Sequence, residues 1–391
     1  MSKVIYLDNA STTIPCREAI APFENPDNYF NPSNLYTQSR EIHNNLEYIR
    51  KEILKFIHAK NGNVYFTSGA SEANNWLIKG IIKELKNKII NSDFVPHIIT
   101  SAIEHDSILN ALGSFSSNEL DVTYITPDEK GYINPQDIEN AIKSNTILVS
   151  IMYANNELGT IQPIYKIGKI CNKHNILFHT DATQIFGKQE INVSNNMIDF
   201  LTFSGHKFHG PKGIGGIYMN IKKSENFHVP NLIDGGGQEF GLRAGTENYP
   251  AILGMWNAIV YMQENYIKDG MGNNHINKIN KCIQEELKKN FKKEDYRINS
   301  HDSKWIFNFS LRNINTDVFV ICLANDDEDE PIYISTGSAC NTGELDPSHV
   351  LQAIKCPQEF INGPIRISYG METTEDEIKI LIKRLSELYY D

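Results

Sequence analysis

No two cysteines in this sequence stand at the short spacings of a zinc site. Cys16, Cys171, Cys282, Cys322, Cys340 and Cys356 are scattered over 391 residues. Reduced thiols in a cytosol-like compartment are therefore expected. Long apolar runs are missing too: the best, Ile147 to Ala154, falls far short of the roughly 18 residues a membrane span needs. The opening residues Met1 to Asp8 lack the extended apolar stretch of a secretory signal. Positive charge is in deficit, with 37 Lys and Arg against 48 Asp and Glu, a net of −11. That argues against direct binding of nucleic acid or of an anionic membrane. There is no internal repeat or long low-complexity tract, and 40% hydrophobic with 22% charged residues excludes disordered and collagen-like classes. A soluble, cytoplasmic protein is expected. Its length allows two or three domains and a core that needs no disulfide or metal.

What is present is alternation. Between about residues 60 and 220, apolar β-branched runs predict strands at Val64–Thr67, His97–Ser101, Val122–Ile125, Thr146–Tyr153, Ile176–Asp181, Phe200–Ser204 and Gly216–Asn220. Amphipathic stretches such as Pro135–Ile142 and Ile164–His174 separate several of them. The pattern is that of an α/β domain with a largely parallel sheet, which binds ligands at the carboxyl ends of its strands. Later segments predict a helix from about Ile252 to Asn265 and a second with Ile276, Ile279, Ile283 and Leu287 on one side. Strands are predicted near Trp305–Leu311 and Asp317–Leu323. A last helix is capped by Thr374 with Glu377, and its stripe is Ile378, Leu381, Leu385 and Leu388. This is a large α/β domain followed by a smaller α+β domain.

Three stretches suggest chemistry. Ser204-Gly205-His206-Lys207-Phe208-His209-Gly210-Pro211-Lys212-Gly213-Ile214-Gly215-Gly216 directly follows an apolar strand. A lysine there, among small residues, can form a Schiff base with a carbonyl compound, although a glycine-rich surface turn is the commoner use of such a run. Asp181, in Phe178-His179-Thr180-Asp181-Ala182-Thr183-Gln184, ends another strand. A carboxylate beside a pyridine nitrogen keeps it protonated and makes a pyridoxal ring an electron sink; the ordinary role of a strand-end Asp is a helix cap. Phe66-Thr67-Ser68-Gly69-Ala70-Ser71-Glu72-Ala73-Asn74 passes from strand through a glycine turn into a helix whose first amides and dipole favour a phosphate. A strand-end Lys, a strand-end Asp 26 residues earlier and a phosphate-ready helix start together describe a pyridoxal-phosphate enzyme.

Among the cysteines, Cys171 and Cys322 lie in apolar runs and are expected to be buried, and Cys282 lies on an amphipathic helix. Cys340 differs. Its neighbours Ser335, Thr336, Gly337, Ser338, Ala339, Asn341, Thr342 and Gly343 are small and polar, the composition of an exposed loop whose thiol can ionise and reach a bound substrate.

The sequence resembles the cysteine desulfurases, aminotransferase-like enzymes of pyridoxal-phosphate fold type I that supply sulfur for iron–sulfur clusters and thiolated tRNA. The resemblance runs from Tyr6-Leu7-Asp8-Asn9-Ala10 to Gly363-Pro364-Ile365-Arg366-Ile367-Ser368. Its most specific stretches are Ser204–Gly215, Asn155-Asn156-Glu157-Leu158-Gly159, Gly235–Thr246 and Ser335-Thr336-Gly337-Ser338-Ala339-Cys340. It implies a large domain over residues 1–255 on a mostly parallel seven-stranded sheet, with residues 1–20 as an arm packing on the small domain. The small domain would cover 256–391 and carry Cys340.

The resemblance also implies pyridoxal 5'-phosphate as cofactor. Lys207 would be its Schiff-base lysine, Asp181 would pair with the pyridinium, Gln184 would touch the phenolic oxygen and His105 would stack on the ring. Ala70, Ser71, Ser204 and His206 would hold the phosphate, and Thr246 would complete that cradle from the second subunit of a homodimer. Ser71 stands where a Thr is usual and keeps the hydroxyl. Asn156 would sit between cofactor and substrate carboxylate, and Arg366 would clamp that carboxylate. L-cysteine would yield L-alanine and a persulfide on Cys340, with His105 handling protons at the substrate thiol or the departing enamine. The persulfide would pass to a sulfur-acceptor or scaffold protein, on which Cys340 could transiently ligate an iron–sulfur cluster. Iron–sulfur assembly, tRNA thiolation and DNA phosphorothioation all use such an enzyme. A same-fold selenocysteine lyase or aminotransferase, and a non-catalytic scaffold subunit, are the alternatives. Two positions depart from the usual pattern, Tyr36 in place of a His and Phe240 in place of an Arg before Gly241. The acidic run Asp326–Glu330 is expected to be a solvated turn.

Overall fold

Every strand predicted between residues 60 and 220 is present, and all seven join one sheet. The computed structural model describes residues 4–88, 94–220, 229–301, 304–325, 330–337 and 347–391. Numbered along the chain, the strands are β1 (Ile5–Tyr6), β2 (Asn63–Thr67), β3 (His97–Ser101), β4 (Asp121–Ile125), β5 (Thr146–Ser150), β6 (Leu177–Asp181), β7 (Phe200–Ser204), β8 (Gly215–Met219), β9 (Tyr296–Ile298), β10 (Ile306–Leu311), β11 (Ile332–Tyr333) and β12 (Pro364–Ser368).

The large sheet has the order β2-β8-β7-β6-β5-β3-β4. β8 is antiparallel to both its neighbours, and the other pairs are parallel. Strands β3, β7 and β8 are buried along their whole length, as expected where helices cover both faces. One core packs Ile99, Val149, Phe178, Leu201 and Phe203 on one face; a second packs Trp76, Ile98, Leu148, Phe200 and Ile217 on the other. The alternation within each strand thus divides its side chains between two cores. Because β8 is reversed, its first residue Gly215 pairs with Ser204 at the end of β7 and Thr67 at the end of β2. The ends of β2, β3, β5, β6 and β7 therefore share one edge with the start of β8. A Cβ on Gly215 would collide with the Phe203 carbonyl and the Gly69 Cα, so only glycine lets these turns approach so closely.

A three-stranded antiparallel sheet, β12-β10-β9, is covered by the helices Met271–Asn290 and Glu375–Tyr390. Ile276, Ile279, Ile283 and Leu287 of the first are buried, as are Ile378, Leu381 and Leu385 of the second. Thr374 and Glu377 form the predicted capping box. Leu388 is exposed, and Ile382 takes its place in the buried stripe. The N-terminal segment crosses over to this part of the molecule: β1 pairs in parallel with β11, and Asp8 bridges to Ser368 of β12.

Asp317–Leu323 is not a strand. Thr316–Ala324 is a helix, N-capped by Asn315, whose side chain accepts from the Asp317 amide. β-branched residues favour strands only weakly against tertiary context, and here Phe319 and Leu323 point inward while Val318 and Ile321 are exposed. Cys322 consequently lies exposed on this helix rather than buried in an apolar run. Cys171 and Cys282 are buried. No helix among the described residues is long and apolar enough to cross a membrane.

Candidate active site

The shared edge of the large sheet opens into a cavity of about 670 Å³. Ala70, Ser71, His105, Asn156, Asp181, Gln184, Ser204, His206, Lys207 and Arg366 all line it. Ten of the residues singled out from the sequence are thus gathered at one place. Thr246 is not among them: it lines a neighbouring cavity of about 180 Å³ with Arg243, Gly245 and Glu247, which shares Ser68 and Gly213 with the first. Cys340 and the acidic residues 326–329 lie outside the described residues.

Asp181, 6% exposed, ends β6. Its Oδ2 accepts from Asn74 Nδ2 at 2.8 Å, and its Oδ1 from the Thr183 amide at 2.9 Å. Asn74 is itself fixed, donating to Ser107 Oγ at 2.9 Å and accepting from Thr202 Oγ1 at 2.6 Å. A strand-end carboxylate is thereby oriented by a fully buried amide one helical turn into Ala70–Lys88.

Lys207 closes the short 3₁₀ turn Gly205–Lys207 after β7. Its Nζ donates to the carbonyls of Ala10 and Ser11 at 2.6 and 2.8 Å. His206 Nδ1 lies 3.1 Å from Thr12 Oγ1. Burial, with the ammonium groups of Lys207, Lys212 and Lys188, depresses His206 to about 4, so it hydrogen-bonds as a neutral ring at pH 7. Lys188, behind the site, is pushed down to about 7 by burial and by Lys207 and Arg366.

His105 begins the helix Asp106–Gly113 as its N-cap. Its Nδ1 accepts from the Ser107 amide at 3.1 Å, so the neutral ring carries its proton on Nε2. Glu104 beside it is 1% exposed and accepts from Ser101 Oγ at 2.5 Å and the Met152 amide at 2.9 Å, both through Oε1. Its Oε2 has no partner among the described residues, and burial raises its pKa to about 8.

Arg366, on β12, is 3% exposed. Nη2 donates to Asp8 Oδ1 at 2.8 Å and Ser11 Oγ at 2.7 Å. Nη1 donates to the carbonyls of Asn156 at 3.0 Å and Gly337 at 3.4 Å. Nε has no partner. The edge Nε–Nη2 is thus the one that a carboxylate can take, in exchange for the Ser11 hydroxyl.

The residues suit a pyridoxal phosphate. Thr183 Oγ1 and Gln184 Oε1 are buried polar atoms of the cavity wall without partners among the described residues. The first turn of Ala70–Lys88, the basic side chains of Lys207 and Lys212, and the Ser204 hydroxyl face the same space, the donor set an anion needs. A buried, doubly bonded carboxylate at Asp181 suits a pyridinium.

The class-V aminotransferase family model matches residues 5–381. The cysteine desulfurase IscS of Clostridium botulinum is 38% identical over 99% of this chain and 95% of its own length. That of Methanosarcina thermophila is 38% identical over 97% and 91%. Among solved structures, a NifS-like protein superposes with a TM-score of 0.85 at 29% identity, covering 99% of both chains. SspA in complex with cysteine gives 0.78 at 36% identity, over 93% of this chain and 98% of that one. The chain belongs to the cysteine desulfurases of the class-V aminotransferase family. It is a pyridoxal-phosphate-dependent enzyme of α/β fold.

Sequence reasoning did not assign the wall formed by Ala10, Ser11 and Thr12, nor Asn74 behind Asp181. Asn74 and Ala10 lay inside motifs already quoted, Phe66–Asn74 and Tyr6–Ala10, and Ser11 and Thr12 follow directly, but no residue spacing says that an N-terminal segment reaches a lysine nearly 200 positions away.

Proposed function

We propose that this desulfurase acts through Lys207 and Cys340, with His105, Asn156 and Arg366 placing L-cysteine between them. The observation that carries the reading is the convergence of Asp181, Lys207 and Arg366 on one cavity. When bound, pyridoxal phosphate supplies an electron sink conjugated to the substrate Cα, and Asp181 is suited to keep its ring nitrogen protonated. Ala70, Ser71, Ser204 and His206 hold its phosphate, Gln184 its phenolic oxygen, and Thr246 serves the partner subunit of a homodimer.

Arg366 binds the substrate carboxylate through Nε–H and Nη2–H, with Asn156 alongside. Lys207 Nζ, drawn from the Ala10 and Ser11 carbonyls, removes the Cα proton. The substrate thiol gives up its proton to solvent, and His105 Nε2–H is the donor placed at that sulfur or at the departing enamine. The Cys340 thiolate then attacks the substrate sulfur. An S–S bond forms as the Cβ–S bond breaks, and the released electron pair stays on the three-carbon fragment, which takes one proton at Cβ, recovers the Cα proton from Lys207 and leaves as L-alanine. Cysteine and the Cys340 thiol have become alanine and a persulfide, and the terminal sulfur passes to an acceptor protein in the cytoplasm.

The division into a large domain, 1–255, and a small domain, 256–391, is supported by the two separate sheets, and the β1–β11 pairing supports an arm spanning them. The test is alanine and sulfide release from L-cysteine with a reductant, for wild type beside Cys340→Ala, both holding the cofactor's visible band. Loss of turnover with the band retained is the expected result. Equal turnover would make the thiol incidental, and discrimination against cysteine in favour of selenocysteine would replace the reading with a lyase.

A further inference from the structure

The turn that presents Asn156 is closed by backbone pairing of Ala154 with Ile161 and stiffened by Asn155, whose Oδ1 accepts from the amides of Glu157 and Leu158. Glu157 does not line the cavity. It is 2% exposed, and the chemistry above makes no use of it.

Its surroundings are specific. Oε2 accepts a 2.6 Å bond from the Ser348 hydroxyl. The same hydroxyl accepts from the Val350 and Leu351 amides as the cap of helix His349–Ala353, so its one proton is committed to Glu157. On the other side stands Gly337, with a left-handed φ of 98°. A Cβ there would lie 3.2 Å from Glu157 Oε2, so the left-handed backbone favours glycine and a side chain would press on the carboxyl. Gly337 and Pro347 are the described residues that flank 338–346, the stretch containing Cys340, and Ser348 follows directly.

Both flanks are tied to the loops that carry the substrate-facing residues. Ser335 pairs through its backbone with Arg366, and Gly337 O accepts from Arg366 Nη1. His349 Nε2 is 3.1 Å from the Glu104 carbonyl, next to His105. Val350 and Leu351 pack on Ile103 and Leu158.

We propose that Glu157 is a positioning residue for sulfur transfer, holding the two flanks of the Cys340 stretch against the Asn156 turn so that the thiol acts at high effective concentration on the substrate sulfur. This rests on the reading of Cys340 as persulfide carrier. Burial raises the Glu157 pKa against the pull of His349 and Arg366, so Gln, which keeps the acceptor oxygen without the charge, is the conservative replacement.

The test uses four holoenzyme variants, Glu157→Ala, Glu157→Gln, Ser348→Ala and Cys340→Ala, with L-cysteine as substrate. Measured for each are the cofactor band, its change on adding cysteine, and kcat and KM for alanine formation. Glu157→Ala is expected to keep the band, its response to cysteine and KM, while kcat falls about tenfold or more. Ser348→Ala should reproduce that split, and keeps the question answerable if Glu157→Ala does not fold. Glu157→Gln should restore kcat to within about threefold of wild type. The proposal is overturned if Glu157→Ala keeps kcat, if band and KM change together with kcat, or if Gln is as impaired as Ala. A Cys340→Ala enzyme as active as wild type would instead bring down the persulfide reading, and this proposal with it. Inactive Cys340→Ala beside unaffected Glu157→Ala overturns this proposal alone.

Discussion

On the sheet side of the cavity, each chemical group stands at or just past the end of a strand, and the bonds that orient it are mostly short in range or lie within the large sheet and its helices. Asp181 is held by Thr183 and Asn74, and His105 by Ser107. On the opposite side, Arg366 is held by Asp8, Ser11 and Asn156, at separations of 358, 355 and 210 residues. The first wall has Asp181 and His105 in place once the α/β sheet has formed, whereas Lys207 also needs the Ala10 and Ser11 carbonyls. The second exists only when the N-terminal segment, β12 and the Asn156 turn have all met. On the reading proposed above, cofactor chemistry falls to the rigid wall and substrate handling to the assembled one, and the division can be broken from either side.

The largest effect is expected on the rigid wall. Lys207→Ala should abolish turnover and leave no protein-bound product when the cofactor is fixed by borohydride; covalent labelling in the variant would move the Schiff-base role elsewhere. Asp181→Asn should lower kcat by about a hundredfold or more, since the ring then loses its proton partner. Asn74→Ala acts through the same carboxylate and removes one of its two donors, a loss of about 1–3 kcal/mol. A fall in kcat of roughly tenfold follows, with KM little changed. An Asn74→Ala enzyme with normal kcat would mean that the buried amide only supports the fold.

The assembled wall should answer in KM. Arg366→Lys keeps a cation but loses the fork, and KM for cysteine should rise about tenfold with kcat less affected. Asp8→Asn removes the charge that holds the guanidinium while keeping a hydrogen-bonding group, so a smaller rise of a few-fold is expected. If Asp8→Asn lowers kcat and leaves KM alone, the N-terminal segment serves Lys207 rather than Arg366.

The same contrast explains what could be read from the sequence. Apolar runs ending in Asp181, Ser204 or Thr67 declare a strand and its chemical end within a few residues, so the seven strands and the cofactor wall were legible. Nothing local marks Asp8 as the partner of Arg366, and Arg366 itself came into view only through a family resemblance. The helix Thr316–Ala324 was misread for a related reason. Val318, Val320 and Ile321 are β-branched, and what decides their conformation is a cap at Asn315 and the burial of Phe319 and Leu323 against other elements.

Glu104 provides the smallest expected effect on turnover and probes the rigid wall without touching its chemistry. Its carboxyl is raised from 4.5 to about 8 by burial. Below pH 4.5 the group is protonated in folded and unfolded chains alike and has no influence on their balance. Between 4.5 and 8 the unfolded chain releases the proton while the folded one keeps it, so stability falls as pH rises, by up to about 1.4 kcal/mol per pH unit from this group. Above about 8 both states are ionised and the loss is constant. Glu104→Gln keeps the Oε1 acceptor for Ser101 and Met152 and cannot ionise; its amide donor replaces an atom that has no partner among the described residues, a cost that does not vary with pH. The variant's thermal midpoint relative to wild type should therefore climb steadily from pH 5 to pH 8. A constant difference over that range would show that the wall tolerates a charge at this depth, and that burial there is less complete than the packing around Glu104 implies.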